Sequence, residues 1–151
     1  MLRCGFVAAL SASIAVAAGG DDSVRFSKGD LPLILTVPHD GTVVPHDVPA
    51  RKPENLARDK VNRDVGTAPL AERIAKRLEE QLGKRPYLVI ERIERKYLDV
   101  NRSEQDALQS PAMQPAYRAY HQQIAAYVAE IRDRFPSGAL LIDVHGESKS
   151  R

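Results

Sequence analysis

Short apolar runs alternate with amphipathic stretches through the central part of the chain. Two runs of leucine and β-branched residues, at positions 31–37 and 86–90, predict buried strands. Between them, a stripe of apolar residues at helical spacing predicts a helix: Leu70, Ala71, Ile74, Ala75, Leu78 and Leu82. Thr67 is the expected cap of this helix, Pro69 fits its first turn, and Gly83 ends it. A strand, a helix and a second strand in this order are typical of a βαβ unit with a parallel sheet.

The second half of the chain continues this alternation. A long helix from about Ala116 to Phe135 is predicted by one apolar and aromatic face: Tyr117, Tyr120, Ile124, Tyr127, Val128, Ile131 and Phe135. We expect its tyrosines to pack in the core rather than to form a cofactor site. Residues 140–144 predict a last strand, which we expect to be buried. Residues 24–26 are compatible with a short edge strand, and residues 91–102 with a short strand or an extended segment. The fold class predicted is α/β, with a mostly parallel sheet of three or four strands flanked by helices.

The first twenty residues have the features of an export signal. Arg3 precedes an apolar run, residues 4–18, that is too short to span a membrane, and Ala15-Val16-Ala17 is typical of a signal-peptide cleavage site. We therefore predict a signal peptide at residues 1–20, with a disordered or core N-terminus as the alternative. The prediction implies a single domain at residues 21–151 and an exported protein (periplasmic or secreted) that is free of the membrane after cleavage. The single cysteine, Cys4, would be removed with the signal, which leaves no disulfide and no thiol nucleophile.

The charge pattern argues against a nucleic-acid partner. The formal net charge is +2, and basic residues alternate with acidic ones instead of forming a stripe. A long Pro-rich segment, residues 38–66, has no helix or strand signal, and loops of this length inside a compact domain are often functional. An irregular surface excursion is the alternative interpretation of that segment.

Two histidines follow predicted strands directly. His39 lies in Pro38-His39-Asp40-Gly41, and His145 is followed by Gly146. Ligands collect at the carboxyl edge of parallel strands, and hydrolytic zinc is typically held by three protein ligands, of which two histidines and a carboxylate are a standard set. We therefore predict that His39 and His145 bind a metal, with satisfied loop histidines as the alternative. His46 is expected to face solvent, and His121 to pack near the site rather than to bind the metal.

The third ligand stays open at this level. The sequence offers four aspartates for this role: Asp40, Asp47, Asp59 and Asp64. Each of them could equally be a solvated loop carboxylate. Asp64 lies just before the first predicted helix, where a loop could turn it into the site.

A second group of polar residues lies in the segment after the second predicted strand. A guanidinium beside an amide, as in Asn101 and Arg102, can grip a carboxylate, and a further arginine, Arg95, can polarise a carbonyl or stabilise an oxyanion. The alternative is that the arginines of this segment are solvated charges paired with its glutamates, Glu91 and Glu94.

In chain order, these motifs resemble the N-formylglutamate amidohydrolase family, zinc hydrolases related in fold to the carboxypeptidase A and aspartoacylase group. The motifs are Val37-Pro38-His39-Asp40-Gly41, Arg63-Asp64, the Arg-x-Tyr-x-x-x-Asn-Arg segment at residues 95–102, Tyr120-His121, and Leu141-Ile142-Asp143-Val144-His145-Gly146. The resemblance covers roughly residues 30–148, and the segment at residues 95–102 is its most specific part. It implies a three-layer, phosphorylase/hydrolase-like and zinc carboxypeptidase-like fold.

The same resemblance implies a reaction and roles for particular residues. The reaction is hydrolysis of an N-acyl amino acid, such as N-formylglutamate, to a carboxylate and a free amino acid. Asn101 and Arg102 match the pair that binds the substrate carboxylate, and Arg95 matches the arginine that polarises the carbonyl. The implied zinc (Zn2+) ligands are His39, Asp64 and His145.

Two features depart from this resemblance. The family's cytoplasmic histidine-degradation enzymes carry no export signal, so an exported zinc carboxypeptidase or cell-wall peptide amidase is an alternative. The family's general-base glutamate comes from well beyond the second histidine, whereas the sequence stops at Arg151 and Glu147 is the only acid nearby. We therefore expect either an N-terminal portion of a longer enzyme or a degenerate copy, such as a non-catalytic carboxylate-binding remnant. In both cases we expect several strands of the sheet to be missing.

Overall fold

The computed structural model describes residues 22–52 and 60–146, which form a four-stranded sheet with helices on both faces. The strands are β1 (Val24–Ser27), β2 (Leu33–Val37), β3 (Tyr87–Glu91) and β4 (Leu140–Asp143). The helices are α1 (Thr67–Leu82), α2 (Glu104–Ala107) and α3 (Gln114–Arg134), with a 3-10 turn at Pro111–Met113. The strand order is β1-β3-β2-β4, in which β2, β3 and β4 are parallel and β1 is antiparallel to β3. The predicted α/β class, the mostly parallel sheet and the edge strand near residue 24 are confirmed.

Alternate residues of the central strands pack on opposite faces of the sheet. Ile34, Tyr87 and Val89 point to the α3 side, where they meet its aromatic face, including Tyr120 and Tyr127. Tyr120 and Tyr127 are core residues and Tyr117 is partly buried beside them, in agreement with the predicted packing in the core and at its rim. Each large apolar side chain buried there contributes about 1.5–3 kcal/mol to folding.

The α1 face of the sheet is built from smaller side chains. Ala71 and Ala75 are the buried residues that α1 packs on Leu35 and Val37 of β2. Leu70 and Leu82, predicted as part of the apolar stripe, are 48% and 57% exposed, so the prediction was wrong for these two. Because the small side chains of Ala71 and Ala75 form the contact, α1 can lie close to β2. The larger apolar side chains of α1 lie at the edge of this contact.

The start of α1 differs from the predicted cap. The N-cap residue is Gly66, at φ 91°, and Thr67 is the first helical residue, with its hydroxyl donating to Asp64 O at 2.9 Å. The carboxylate that accepts from the free helix amides is Asp40 Oδ2, at 3.1 Å from Gly66 N and 2.8 Å from Ala68 N. The prediction of Thr67 as the cap is therefore wrong. Asp40, in the loop that follows β2, accepts from the helix amides instead and so connects α1 to this loop.

Gly41 allows the loop after β2 to lie directly against the chain that follows β3. A Cβ at this position would lie 2.1 Å from Ile93 O, which no side chain tolerates. The close approach is held by Val43 N donating to Arg92 O at 2.7 Å and by Glu94 N donating to Val43 O at 2.9 Å. The glycine thus brings the Pro-His-Asp-Gly turn beside the residues that follow β3.

Residues 92–102 form turns rather than the strand or extended segment expected. Tyr97 N donates to Glu94 O at 2.8 Å, Arg102 N donates to Asp99 O at 3.1 Å, and Leu98 makes an isolated bridge with Leu108. Leu98 and Asp99 are fully buried. The high charge density is accommodated because Arg95, Asp99 and Arg102 pair inward, toward the site described below, while Arg92, Glu94 and Lys96 form ion pairs nearer the surface.

β4 lies at the edge of the sheet. Among the described residues it pairs with β2 alone, with Leu35 opposite Ile142. Its three apolar residues Leu140, Leu141 and Ile142 are exposed, so the prediction of a buried strand was wrong for them, because no described element covers this edge of the sheet. Val144 N then donates to Thr36 O at 2.8 Å, which keeps the chain beside β2 for one residue more.

Residues 1–20, for which we predict a signal peptide, lie outside the described residues, and export stays a prediction. In the part of the chain that the structure describes, none of the helices is both long and apolar enough to cross a membrane.

Candidate metal centre

His39, Asp64 and His145 meet at the carboxyl edge of the parallel strands. His39 lies two residues after β2, His145 two residues after β4, and Asp64 two residues before the cap of α1. One ligand atom from each side chain lies within 4.8 Å of those of the other two. Asp64 Oδ2 is 3.5 Å from His39 Nδ1 and 3.1 Å from His145 Nδ1.

This arrangement fits a divalent metal ion. Ligands bound to zinc at about 2.0–2.1 Å lie about 3.3 Å apart in a tetrahedral site, a value between the two distances above. His39 Nδ1 is buried and makes no hydrogen bond to any described residue, so its lone pair is left for a ligand. The side chain of His145 is 41% exposed, which leaves the site open on that side. Imidazole and carboxylate together are the donor set that borderline-soft ions such as zinc prefer.

Backbone contacts place Asp64 between the two histidines. Asp64 N donates to His39 O at 2.9 Å, and Gly146 N donates to Asp64 Oδ2 at 3.1 Å. Burial by itself would raise the pKa of Asp64, but the Gly146 amide, His145, His39 and Arg95 outweigh it and lower the pKa. The carboxylate is therefore ionised and available as a ligand at neutral pH.

The other candidate aspartates have different surroundings. Asp40 caps α1 and pairs with Arg63 at 2.9 Å, and Asp47 is exposed beside His46. Asp59 lies outside the described residues. Among the three candidate aspartates that lie within the described residues, Asp64 is the one that lies beside both histidines.

The two remaining histidines are not part of the triad that His39, Asp64 and His145 form. The side chain of His46 is 94% exposed, as expected. His121 stacks against Tyr117 and its Nε2 lies 3.0 Å from Val100 O, where it can donate. It supports the backbone of the 95–102 segment, in agreement with the expectation that it packs near the site.

Asp99 orients His39 and was not singled out from the sequence. Its Oδ1 lies 2.8 Å from His39 Nε2, and its side chain is fully buried. A histidine that donates its Nε2 proton to a carboxylate keeps Nδ1 free for a metal, which is how such carboxylates fix the orientation of metal-binding histidines. The available signal was an aspartate between two apolar residues, Leu98 and Val100, in a segment otherwise rich in arginine.

Three arginines surround the other oxygen of Asp99. Asp99 Oδ2 lies 3.1 Å from Arg95 Nε, 3.5 Å from Arg51 Nη2 and 3.8 Å from Arg102 Nε. Burial alone would raise the pKa of Asp99, but the hydrogen bond from His39 and the charge of Arg95 hold the pKa well below its usual range. Asp99 is therefore a buried anion at neutral pH.

The residues predicted to bind substrate lie around the triad. Arg95 is buried and its Nη1 is 3.4 Å from Asp64 Oδ1, so it is not a solvated partner of Glu91 or Glu94. Asn101 Nδ2 is 3.0 Å from His145 Nε2. If the side-chain amide of Asn101 is flipped, its oxygen faces His145 instead. It can then accept a hydrogen bond from Nε2 when Nδ1 of His145 binds a metal. Arg102 lies one step further out, beside Asp99.

We predict that Asp99→Asn lowers the metal affinity about 10–100-fold, the usual cost of removing the partner of a metal-binding histidine. The amide can still accept from His39 through its oxygen but lacks the charge that strengthens the bond. Competition with a chromophoric chelator measures the affinity. Asp106→Asn, an exposed aspartate of the same segment, should bind as tightly as the wild type. Equal affinity in both variants would contradict the role assigned to Asp99.

The comparisons with known proteins concern the family and the fold of the chain. The family model described as N-formylglutamate amidohydrolase matches residues 31–115, a range that includes His39, Asp64, Arg95 and Arg102. Among solved structures, the chain is similar to the N-formylglutamate amidohydrolase from Ralstonia eutropha JMP134, with a TM-score of 0.60 and 17% sequence identity over 83% of this chain. The chain spans 58% of the length of that protein. No curated protein matches. At this identity, the structural likeness shows the fold.

Proposed function

Because the chain belongs to the N-formylglutamate amidohydrolase family, we propose that it is a zinc-dependent amidohydrolase that cleaves the amide bond of an N-acyl amino acid such as N-formylglutamate. The observation that carries this proposal is the meeting of His39, Asp64 and His145, with the Arg95 guanidinium 3.4 Å from Asp64. Two histidines that follow parallel strands at one edge of the sheet also support our proposal of a fold like that of zinc carboxypeptidases.

The triad residues would hold the ion, and their chemistry favours zinc. When bound, zinc supplies a Lewis acid and lowers the pKa of bound water so that it can attack at neutral pH. His39 presents Nδ1 because Asp99 takes its other ring nitrogen, and Asp64 supplies the single carboxylate. Two imidazoles suit zinc better than magnesium or calcium, which prefer oxygen ligands.

The charges around the triad favour an anionic substrate. Three guanidinium groups (Arg51, Arg95, Arg102) face two carboxylates (Asp64, Asp99), so the balance is 3 − 2 = +1 before any metal ion is counted. Asn101 and Arg102 would bind the substrate carboxylate, since a guanidinium forms paired hydrogen bonds with it. Arg95 would then stabilise the negative charge that develops on the amide oxygen during attack.

A second candidate follows from the predicted export signal at residues 1–20. A zinc carboxypeptidase or peptide amidase would use the same grip for the terminal carboxylate of a peptide. A non-catalytic carboxylate-binding protein would keep the pocket without turnover.

The experiment is a side-by-side assay of the purified, zinc-loaded chain. The substrates are N-formylglutamate, the corresponding compound with its α-carboxylate converted to an amide, and short peptides. We expect hydrolysis of N-formylglutamate, little of the α-amide, and none of the peptides. A preference for peptides would contradict this proposal and favour the carboxypeptidase or peptide amidase. Binding of the carboxylate without any turnover would favour the non-catalytic binding protein.

A further inference from the structure

Arg51 is a buried cation from the Pro-rich segment at residues 38–66. Its side chain is only 5% exposed. The guanidinium donates through Nε and Nη2 to Arg95 O, at 3.3 and 3.1 Å, and through Nη1 to Asp106 O at 3.4 Å. Removing a guanidinium from water is costly unless its donors are used, so this placement indicates a function for the contacts.

These contacts fasten the two ends of the segment that carries the proposed substrate-binding residues. Arg95 and Asp106 bracket Asn101 and Arg102 along the chain. The main chain adds to this, with Arg51 N donating to Lys96 O at 2.7 Å. A planar guanidinium has donors in a fixed fork and can hold two carbonyls at once, which a lysine ammonium does less well.

The middle of the same segment is held from another side, by α3. Tyr117 Oη donates to Arg102 O at 2.9 Å, and His121 Nε2 lies within hydrogen-bonding distance of Val100 O. The middle of the segment is thus supported by α3, and its ends by Arg51 at Arg95 O and Asp106 O. Val43 holds the chain just before Arg95, where Glu94 N donates to Val43 O, so Arg51 is the side chain that connects this end of the segment with the other.

We propose that Arg51 is a positioning residue for substrate recognition, which holds residues 95–106 so that Arg95, Asn101 and Arg102 face the metal triad. This inference rests on the proposed function. Arg51 makes no described contact with His39, Asp64 or His145, and at 3.5 Å it lies farther from Asp99 Oδ2 than Arg95 does, at 3.1 Å. It therefore acts mainly through the segment that it fastens. Removing it should therefore weaken binding of the substrate carboxylate more than binding of the metal.

The test measures two affinities in the zinc-loaded chain and its variants. Calorimetry gives the affinity for N-formylglutamate and for its α-amide, and chelator competition gives the affinity for zinc. Arg51→Met should bind N-formylglutamate about tenfold more weakly, because small displacements of positioning groups are costly, and should lose much of its preference over the α-amide. Its zinc affinity should stay within about threefold of the wild type, which is well under 1.4 kcal/mol.

Three further variants make the result specific. Arg102→Met should lose the carboxylate preference directly. Arg134→Met is a matched control: Arg134 also donates to a backbone carbonyl, Gly29 O at 3.4 Å, but far from the triad, and its loss should leave both affinities unchanged. Arg51→Lys keeps the charge without the fork and should fall between wild type and Arg51→Met. If Arg51→Met does not fold, the Arg51→Lys variant is used for the test instead.

The results that would contradict the role of Arg51 can be distinguished from those that would contradict the proposed function. Wild-type binding in both Arg51 variants, beside weakened binding in Arg102→Met, would overturn the role of Arg51 and leave the proposed function standing. Equal losses of zinc and of N-formylglutamate affinity in Arg51→Met would also overturn it, because Arg51 would then act on the metal triad. A wild type that does not prefer N-formylglutamate over its α-amide would refute the proposed carboxylate recognition, and the role of Arg51 with it.

Discussion

Replacement of His145 by alanine is expected to lower the zinc affinity at least about a thousandfold, equivalent to about 4 kcal/mol. The triad offers three ligand atoms within 4.8 Å of one another, and without His145 only His39 and Asp64 are left of it. Two ligands do not make the three-ligand protein site that hydrolytic zinc typically occupies. Metal content after dialysis and chelator competition both measure the loss.

His46→Ala is the matched control for this substitution. His46 follows His39 closely in the chain, but its side chain is exposed and paired with Asp47. The variant should keep about one zinc per chain, the stoichiometry of a single site. If His145→Ala retained affinity within tenfold while staying folded, the metal would have to bind elsewhere, and the triad would lose its assigned role.

Replacement of Arg95 by glutamine is expected to lower kcat on N-formylglutamate about 10²–10³-fold, the usual cost of removing one donor to a developing oxyanion. Arg95 is the described arginine whose guanidinium contacts a triad residue, at 3.4 Å from Asp64. It also pairs with Asp99 at 3.1 Å, so its loss should change zinc affinity as well, by less than about tenfold. Steady-state kinetics and chelator competition separate the two effects.

Arg92→Gln provides the comparison for Arg95. Arg92 belongs to the same arginine-rich segment but pairs with Asp22, away from the triad. Its replacement should leave kcat unchanged. A similar fall of kcat in both variants would show that net positive charge, and not the position of Arg95, supports turnover.

The elements with strong periodicity were predictable because their signal is local. The apolar runs of β2 and β3 and the apolar face of α3 each determine burial within one segment, and the structure confirms them. The resemblance to the family, founded on residues such as His39, Asp64 and Arg102, is confirmed by the match over residues 31–115. The roles of these residues in binding zinc and substrate stay predictions.

The missed features depend on contacts between segments that are distant in the chain. The cap of α1 comes from Asp40, twenty-eight positions before Ala68, and no local pattern favours it over Thr67. Asp99 and Arg51 were missed because charged residues usually face solvent. Here both are buried, and the opposite charges that surround them compensate for the loss of water. Periodicity predicts which faces are buried, but it does not predict which buried charges will meet.

The position of β4 has a consequence for how the site opens. His39 follows β2, which has a strand on each side, whereas His145 follows β4, which pairs with β2 alone among the described residues. Strands with few buried contacts open locally at a lower free energy than the rest of a fold, so amide hydrogen exchange should be fastest in β4 and slow down when metal is bound. Opening of β4 would take His145 away from a bound metal ion while His39 and Asp64 stay in place. In the described part of the chain, the lifetime of such an ion would therefore depend on how often this strand opens as well as on the strength of the individual bonds.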